Sequence, residues 1–148
     1  MLLDFWASWS KKSRERNPEL VQIYRKFNKK GFEIVSVSLD EDKALWQRAI
    51  KEDGLPWIQL CDFKKWETSS VQTYMIKEVP SNILIDSEGR IVAFNLSNEE
   101  LEIKLKELTA ESGFTISGNI AGIEEGKLSL ELLLANGKKE LIRSKVVN

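Results

Sequence analysis

The chain opens on an apolar run from Met1 to Trp6, broken only by Asp4, which predicts a buried strand. Beyond it, Leu20, Ile23, Tyr24 and Phe27 recur at helical spacing. They predict a helix running to about Lys29, capped at its start by Ser10 or Ser13 and stopped by Gly31. Pro18 falls inside that pattern. An interior proline removes a hydrogen bond and costs about 3 kcal/mol or more, so a kink is expected there unless packing demands the residue. Phe32 to Leu39 alternates and is rich in β-branched residues, the pattern of a strand, and Leu45, Trp46, Ala49 and Ile50 give the next helix its apolar face. After Gly54 and Pro56, Trp57 to Cys61 reads as a short strand and Trp66 to Met75 as a helix ending near Ile76.

The pattern then changes. Ser81 to Asp86 and Arg90 to Leu96, joined by Ser87, Glu88 and Gly89, predict an antiparallel hairpin. Leu101, Leu105 and Leu108 predict a closing helix capped by Asn98 or Ser97. The early β-α alternation favours a mostly parallel sheet covered by helices on both faces. From Gly113 onward, FTISGNIAGI, KLSLELLLA and KKELIRSKVV are β-rich runs punctuated by the turn signals Glu125-Gly126 and Asn136-Gly137. They predict a strand meander. Three strands are marginal alone, so residues 112–148 either dock on a first domain spanning 1–111 or begin a further β domain.

Composition narrows the chemistry more than the fold. With 148 residues, 42% apolar and 30% charged, the chain suits one principal domain, and a net charge of -1 gives no global drive toward nucleic acid or anionic lipid. No stretch approaches the ~20 apolar residues of a membrane span, so no membrane insertion by this chain is expected. MLLDFW lacks the basic and apolar regions of a signal peptide. Cys61 is the single cysteine and histidine is absent, which removes intramolecular disulfides, Cys-rich metal sites, imidazole ligands and Ser-His or Cys-His pairs. No cofactor and no metal are called for, and the oligomeric state is left open.

The segment DFWASWSKKSR, Asp4 to Arg14, resembles the active-site loop of the thioredoxin-like TlpA and ResA group, whose pattern is D/N-F-W-A-S-W-C-x-x-C-R. NPEL, GFEIVSVSLDED, EDGLPW and VPSNILIDSEGRIVA extend the resemblance over roughly residues 1 to 111. It implies an α/β thioredoxin-like fold, a central mixed sheet flanked by helices, with the β meander following it. It also implies thiol-disulfide oxidoreductase ancestry and a place in the bacterial periplasm or cell envelope. In the family, cysteines at a helix N-terminus are held as thiolates and exchange with disulfides. Here Ser10 and Ser13 occupy those positions. A serine hydroxyl forms no disulfide and needs a base to act as nucleophile; Lys11 and Lys12, expected in solvent, are poor candidates. Ser10 is expected as an N-cap and Ser13 as a polar filler of the first turn.

The resemblance assigns further positions. Val79-Pro80 is similar to the family's cis-proline site, whose preceding backbone pairs with an extended peptide, so Trp9, Val79 and Pro80 outline a peptide groove that needs no thiol. Trp6 is expected in the core and Trp9 as a half-exposed lid. Cys61, near the end of a predicted strand, is expected as a half-buried inert thiol, its alternative being a lone redox thiol. Lys11, Lys12, Arg14 and Arg16 read as a solvated helix face. Two features depart from the family: its N-terminal hairpin is not seen before the first strand, and the segment from Phe114 is similar to a small β domain that elsewhere precedes the redox domain. Two functional readings stand. One is a redox-inactive domain acting as a peptide or protein interaction module. The other is a genuine oxidoreductase whose cysteines were engineered to serine, or which works through Cys61.

Overall fold

A computed structural model of the chain describes residues 1–110, 125–133 and 139–147, with side chains over 1–110. The chain divides into two compact units, Met1–Gly113 and Phe114–Asn148.

The first unit is a five-stranded mixed sheet in the order β3-β2-β1-β4-β5. Strand β1 (Leu2–Trp6) pairs in parallel with β2 (Ile34–Ser38), which pairs in parallel with β3 (Ile58–Leu60). On its other side β1 meets β4 (Ser81–Ile85) antiparallel, and β4 folds back on β5 (Ile91–Phe94) as the expected hairpin. The parallel half thus comes from the β-α-β alternation and the antiparallel half from the short turn at Ser87-Glu88-Gly89. The thioredoxin-like, mixed α/β architecture is as anticipated.

Because side chains alternate along a strand, Leu2, Ile34 and Leu84 share one face of the sheet while Phe5, Val37 and Ile83 share the other. Over the first face lie α1 (Lys11–Phe27), α2 (Lys43–Asp53) and α4 (Asn98–Ala110), which contribute Leu20, Phe27, Ala49 and Leu101. Phe27 and Leu101 are fully buried, each worth about 2–3 kcal/mol of transfer free energy. Among the described helices, α3 (Ser69–Thr73) adds to the second face through Val71, beside the loop residues Ala7 and Leu39.

Local signals place the helix ends. Asp42 accepts hydrogen bonds from the N–H groups of Ala44 and Leu45, starting α2. Ser97 and Glu100 exchange side-chain-to-backbone bonds in a capping box that starts α4. Gly31, after a short 3-10 turn (Asn28–Lys30), adopts φ +89°, a left-handed conformation that halts the chain for its entry into β2. Helix α1 runs on through Pro18 as one 17-residue element.

Two expectations are corrected. The helix anticipated over Trp66 to Met75 is a 3-10 turn (Lys65–Glu67) followed by the five-residue α3. Thr68, extended at φ -54° and ψ 128°, separates them, its hydroxyl bonded to Asp62 Oδ1 and the Lys65 carbonyl. Such local side-chain bonds compete with helix continuation. Met75, at φ +52°, lies beyond the end.

In the second unit β6 (Glu125–Leu133) and β7 (Lys139–Val147) pair antiparallel, with Leu130 opposite Ile142. Glu125 and Gly126, anticipated as a turn, are the first ladder positions of β6, opposite Val147 and Val146. The FTISGNIAGI run and the Asn136-Gly137 turn lie outside the described residues.

Candidate functional site

The loop from Ala7 to Ser10 leaves the C-terminal end of β1 and enters α1. Ser10, extended at φ -86° and ψ 108°, is the N-cap, and its Oγ accepts from the Ser13 N–H at 3.3 Å. The same hydroxyl donates to the Val79 carbonyl at 3.4 Å, which sets the Val79-Pro80 loop beside the start of α1. The Val79–Pro80 peptide is cis. Ser10 and Ser13 are both buried; Ser13 Oγ, in the first helical turn, has no hydrogen-bond partner. Trp9 is 53% exposed, whereas Trp6 is packed in the core. The structure therefore brings Trp9, Ser10, Ser13, Val79 and Pro80 into one neighbourhood.

Cys61 stands outside that constellation, just past β3. It lines a shallow cleft of about 230 Å³ with Val37, Leu60, Asp62, Thr68 and Ser70. Its thiol donates to the Asp40 carbonyl at 3.5 Å. Burial pushes the thiol above its ordinary range, opposed by hydrogen bonds from the Phe63 backbone and the Ser38 hydroxyl. A thiol held in this way is a poor nucleophile near neutral pH, because only the thiolate attacks.

Buried carboxylates hold the site in place, and sequence reasoning overlooked them. Asp40 accepts from the Ser8 N–H at 2.9 Å and from the hydroxyls of Ser8 and Ser38, tying the β1–α1 loop to the end of β2. Asp4, in the middle of β1, faces Arg16 Nη1 at 2.9 Å and the Ser36 hydroxyl at 2.9 Å, and Ser36 in turn accepts from Trp57 Nε1. Burial pushes the Asp4 carboxyl up, while Arg16 and Ser36 draw it part of the way back. A charged residue in an apolar run was the available signal.

The anticipated solvated basic face is corrected for two of its members. Arg14 forms a two-pronged pair with Asp53, at 2.7 and 2.8 Å, and a third bond to Glu52. Arg16 turns inward to Asp4 and also donates to Asn98 Oδ1. Lys11 and Lys12 remain exposed, Lys11 near Glu15 at 3.6 Å. The division follows helical geometry: positions 13, 17 and 20 are buried, and 16 lies beside them one turn from 13 and 20, so a cation at 16 reaches inward to Asp4. Among the described residues, no group of three or more His, Cys, Asp or Glu side chains is arranged to hold a metal, and no helix is long and apolar enough to cross a membrane.

The arrangement offers hydrogen bonding at a helix start, an exposed aromatic beside it and an adjacent carbonyl-bearing loop. The thioredoxin-like family model matches residues 1–91. The ResA thiol-disulfide oxidoreductase of Bacillus cereus is 28% identical over 112 residues, covering 74% of this chain and 63% of its own length. The chain thus spans under two thirds of that relative. Among solved structures, a thiol-disulfide oxidoreductase from Bacteroides fragilis gives a TM-score of 0.68 at 42% identity, covering 72% of this chain and 79% of that one. The thioredoxin domain of a thiol-disulfide oxidoreductase from Bacteroides vulgatus gives 0.68 at 34% identity, covering 73% and 77%.

Proposed function

The chain belongs to the thioredoxin-like family, whose relatives here are thiol-disulfide oxidoreductases, and from that premise we propose that it is a redox-inactive member serving as a peptide or protein interaction module in the bacterial cell envelope. The observation that carries the proposal is the pair of hydroxyls at Ser10 and Ser13 in a chain whose only cysteine is Cys61. Dithiol exchange needs one thiolate to attack and a second thiol to resolve the mixed disulfide. Neither group stands at the head of α1, and Cys61 has no resolving partner within the chain.

What persists is the surface that does not depend on sulfur. Trp9 is half exposed, and Val79-Pro80 lies against the N-cap. An extended peptide laid there can pair with backbone beside Pro80 and rest an apolar side chain on Trp9, a form of strand addition. The organisation into a thioredoxin-like domain over 1–111 and a β-rich segment over 112–148 is part of the same proposal.

Insulin reduction by dithiothreitol is the direct assay. The expected result is no acceleration by the chain, and turnover after the combined substitution Ser10→Cys and Ser13→Cys. Turnover by the unsubstituted chain, abolished by Cys61→Ala, would overturn the proposal in favour of an enzyme working through Cys61. A natural gene carrying cysteine codons at positions 10 and 13 would overturn it in favour of an engineered oxidoreductase.

A further inference from the structure

The mouth of α1 carries a local charge that the chain as a whole does not. Lys11 and Lys12 follow directly on the half-exposed Trp9 and the N-cap, and both extend into solvent. The first turn of α1 contains no acidic residue. Arg14 is drawn away to Asp53 and Glu52, so the solvent-facing cations of this turn are the two lysines. Glu15 approaches Lys11 at 3.6 Å, but the Lys11 side chain stays 88% exposed. On the facing segment, Lys77 and Glu78 precede Val79 and are exposed; they cancel in formal charge. Lys12 and Lys77 have no ion-pair partner among the described residues. The result is a locally positive rim around an apolar ring, on a protein whose net charge is -1.

Resting on the reading of Trp9, Val79 and Pro80 as a peptide groove, we propose that the groove selects acidic extended peptides, with an apolar side chain seated on Trp9 and flanking carboxylates answered by Lys11 and Lys12. Charge complementarity favours this occupant. A short peptide places a few carboxylates at the rim, whereas a long polyanion such as nucleic acid extends past the two lysines and gains no global attraction from a chain whose net charge is -1. Both lysines stand in the first turn of α1, where the positive end of the helix dipole adds to their attraction for a carboxylate.

The test uses fluorescein-labelled peptides of about twelve residues built around one leucine, flanked by glutamates, by glutamines or by lysines, with binding read by fluorescence anisotropy at low ionic strength. The acidic peptide is expected to bind about threefold to tenfold more tightly than the lysine peptide, an advantage that shrinks as salt is added. The double variant Lys11→Glu with Lys12→Glu should reverse the order. Acidic residues suit the first turn of a helix, so this variant is expected to remain folded, as circular dichroism will show. Equal binding of all three peptides, lost on Trp9→Ala, would retain the groove and overturn the charge selection. Binding of none would sink the groove reading itself and this inference with it. An oligodeoxythymidylate of equal charge that bound as tightly as the acidic peptide would also overturn the proposal.

Discussion

Arg16 Nη1 stands 2.9 Å from Asp4 Oδ1, and the two side chains are only 13% and 3% exposed. The pair joins the middle of β1 to the helix that carries the candidate site. Removing one partner of a buried pair leaves an uncompensated charge, so Arg16→Met is expected to destabilise by about 3–5 kcal/mol. The Asp4 carboxyl is already raised by burial, which means the folded state holds its proton more tightly than the unfolded chain. Its contribution to stability is therefore present in full below the ordinary carboxylate value of about 4 and is lost as pH rises through the elevated folded value. Urea unfolding of wild type and variant at about pH 4 and about pH 7.5 should show the gap widening toward the higher pH. A gap that stayed constant or narrowed would contradict this account.

Ser10 and Ser13 carry the same hydroxyl and should respond oppositely to its removal. Ser10→Ala deletes the N-cap and is expected to cost about 1 kcal/mol. Ser13→Ala removes a buried hydroxyl that has no partner, and is expected to be neutral or stabilising by up to about 1 kcal/mol. Equilibrium denaturation of both variants decides it; equal losses would show that Ser13 makes a bond of its own.

Asp40 is expected to control the order of the loop bearing Trp9. Asp40→Ala strands the Ser8 N–H and the hydroxyls of Ser8 and Ser38, at a cost of about 2–4 kcal/mol. Hydrogen exchange at the Ser8 amide should accelerate more than exchange in the distant α4. Uniform acceleration across both would mean that the carboxylate supports the whole domain rather than this loop.

Cys61 should alkylate slowly. Burial holds its thiol above the ordinary range, so the rate with iodoacetamide should rise with pH later than that of a cysteine in a short peptide measured alongside. Urea should remove the difference. A midpoint at or below that of the peptide would revive Cys61 as a reactive thiol.

Much of this was legible before any coordinates. The spacing of Leu20, Ile23 and Phe27 marked α1, the Ser81–Leu96 pattern marked the hairpin, and the DFWASWSKKSR loop marked the thioredoxin-like fold. These signals are local, carried by neighbours in sequence. What escaped was the partnership of distant polar groups: Asp4 finds Arg16 on the next element, and Asp40 finds Ser8 32 residues earlier. Periodicity shows that a charge sits in an apolar run but not which side chain neutralises it. Arg14 and Arg16 were placed in solvent for the same reason, since a basic cluster in a sequence does not reveal which of its members turn inward. The break at Thr68 escaped because it depends on a hydroxyl bonded to Asp62, six residues back.

The Ser10 cap bears on how freely such a domain can diverge. Serine is among the residues best suited to begin a helix, and the hydroxyl here closes the first turn while also reaching the Val79 carbonyl. A site kept for reactivity accepts instability as a condition of its chemistry. Trp9, Lys11 and Lys12 are exposed and take no part in this cap, so their side chains can vary while the Ser10 bond that closes the first turn stays in place. Under the proposed function, the head of α1 is an interchangeable recognition surface, open to selection for partners in a way that a catalytic loop is not.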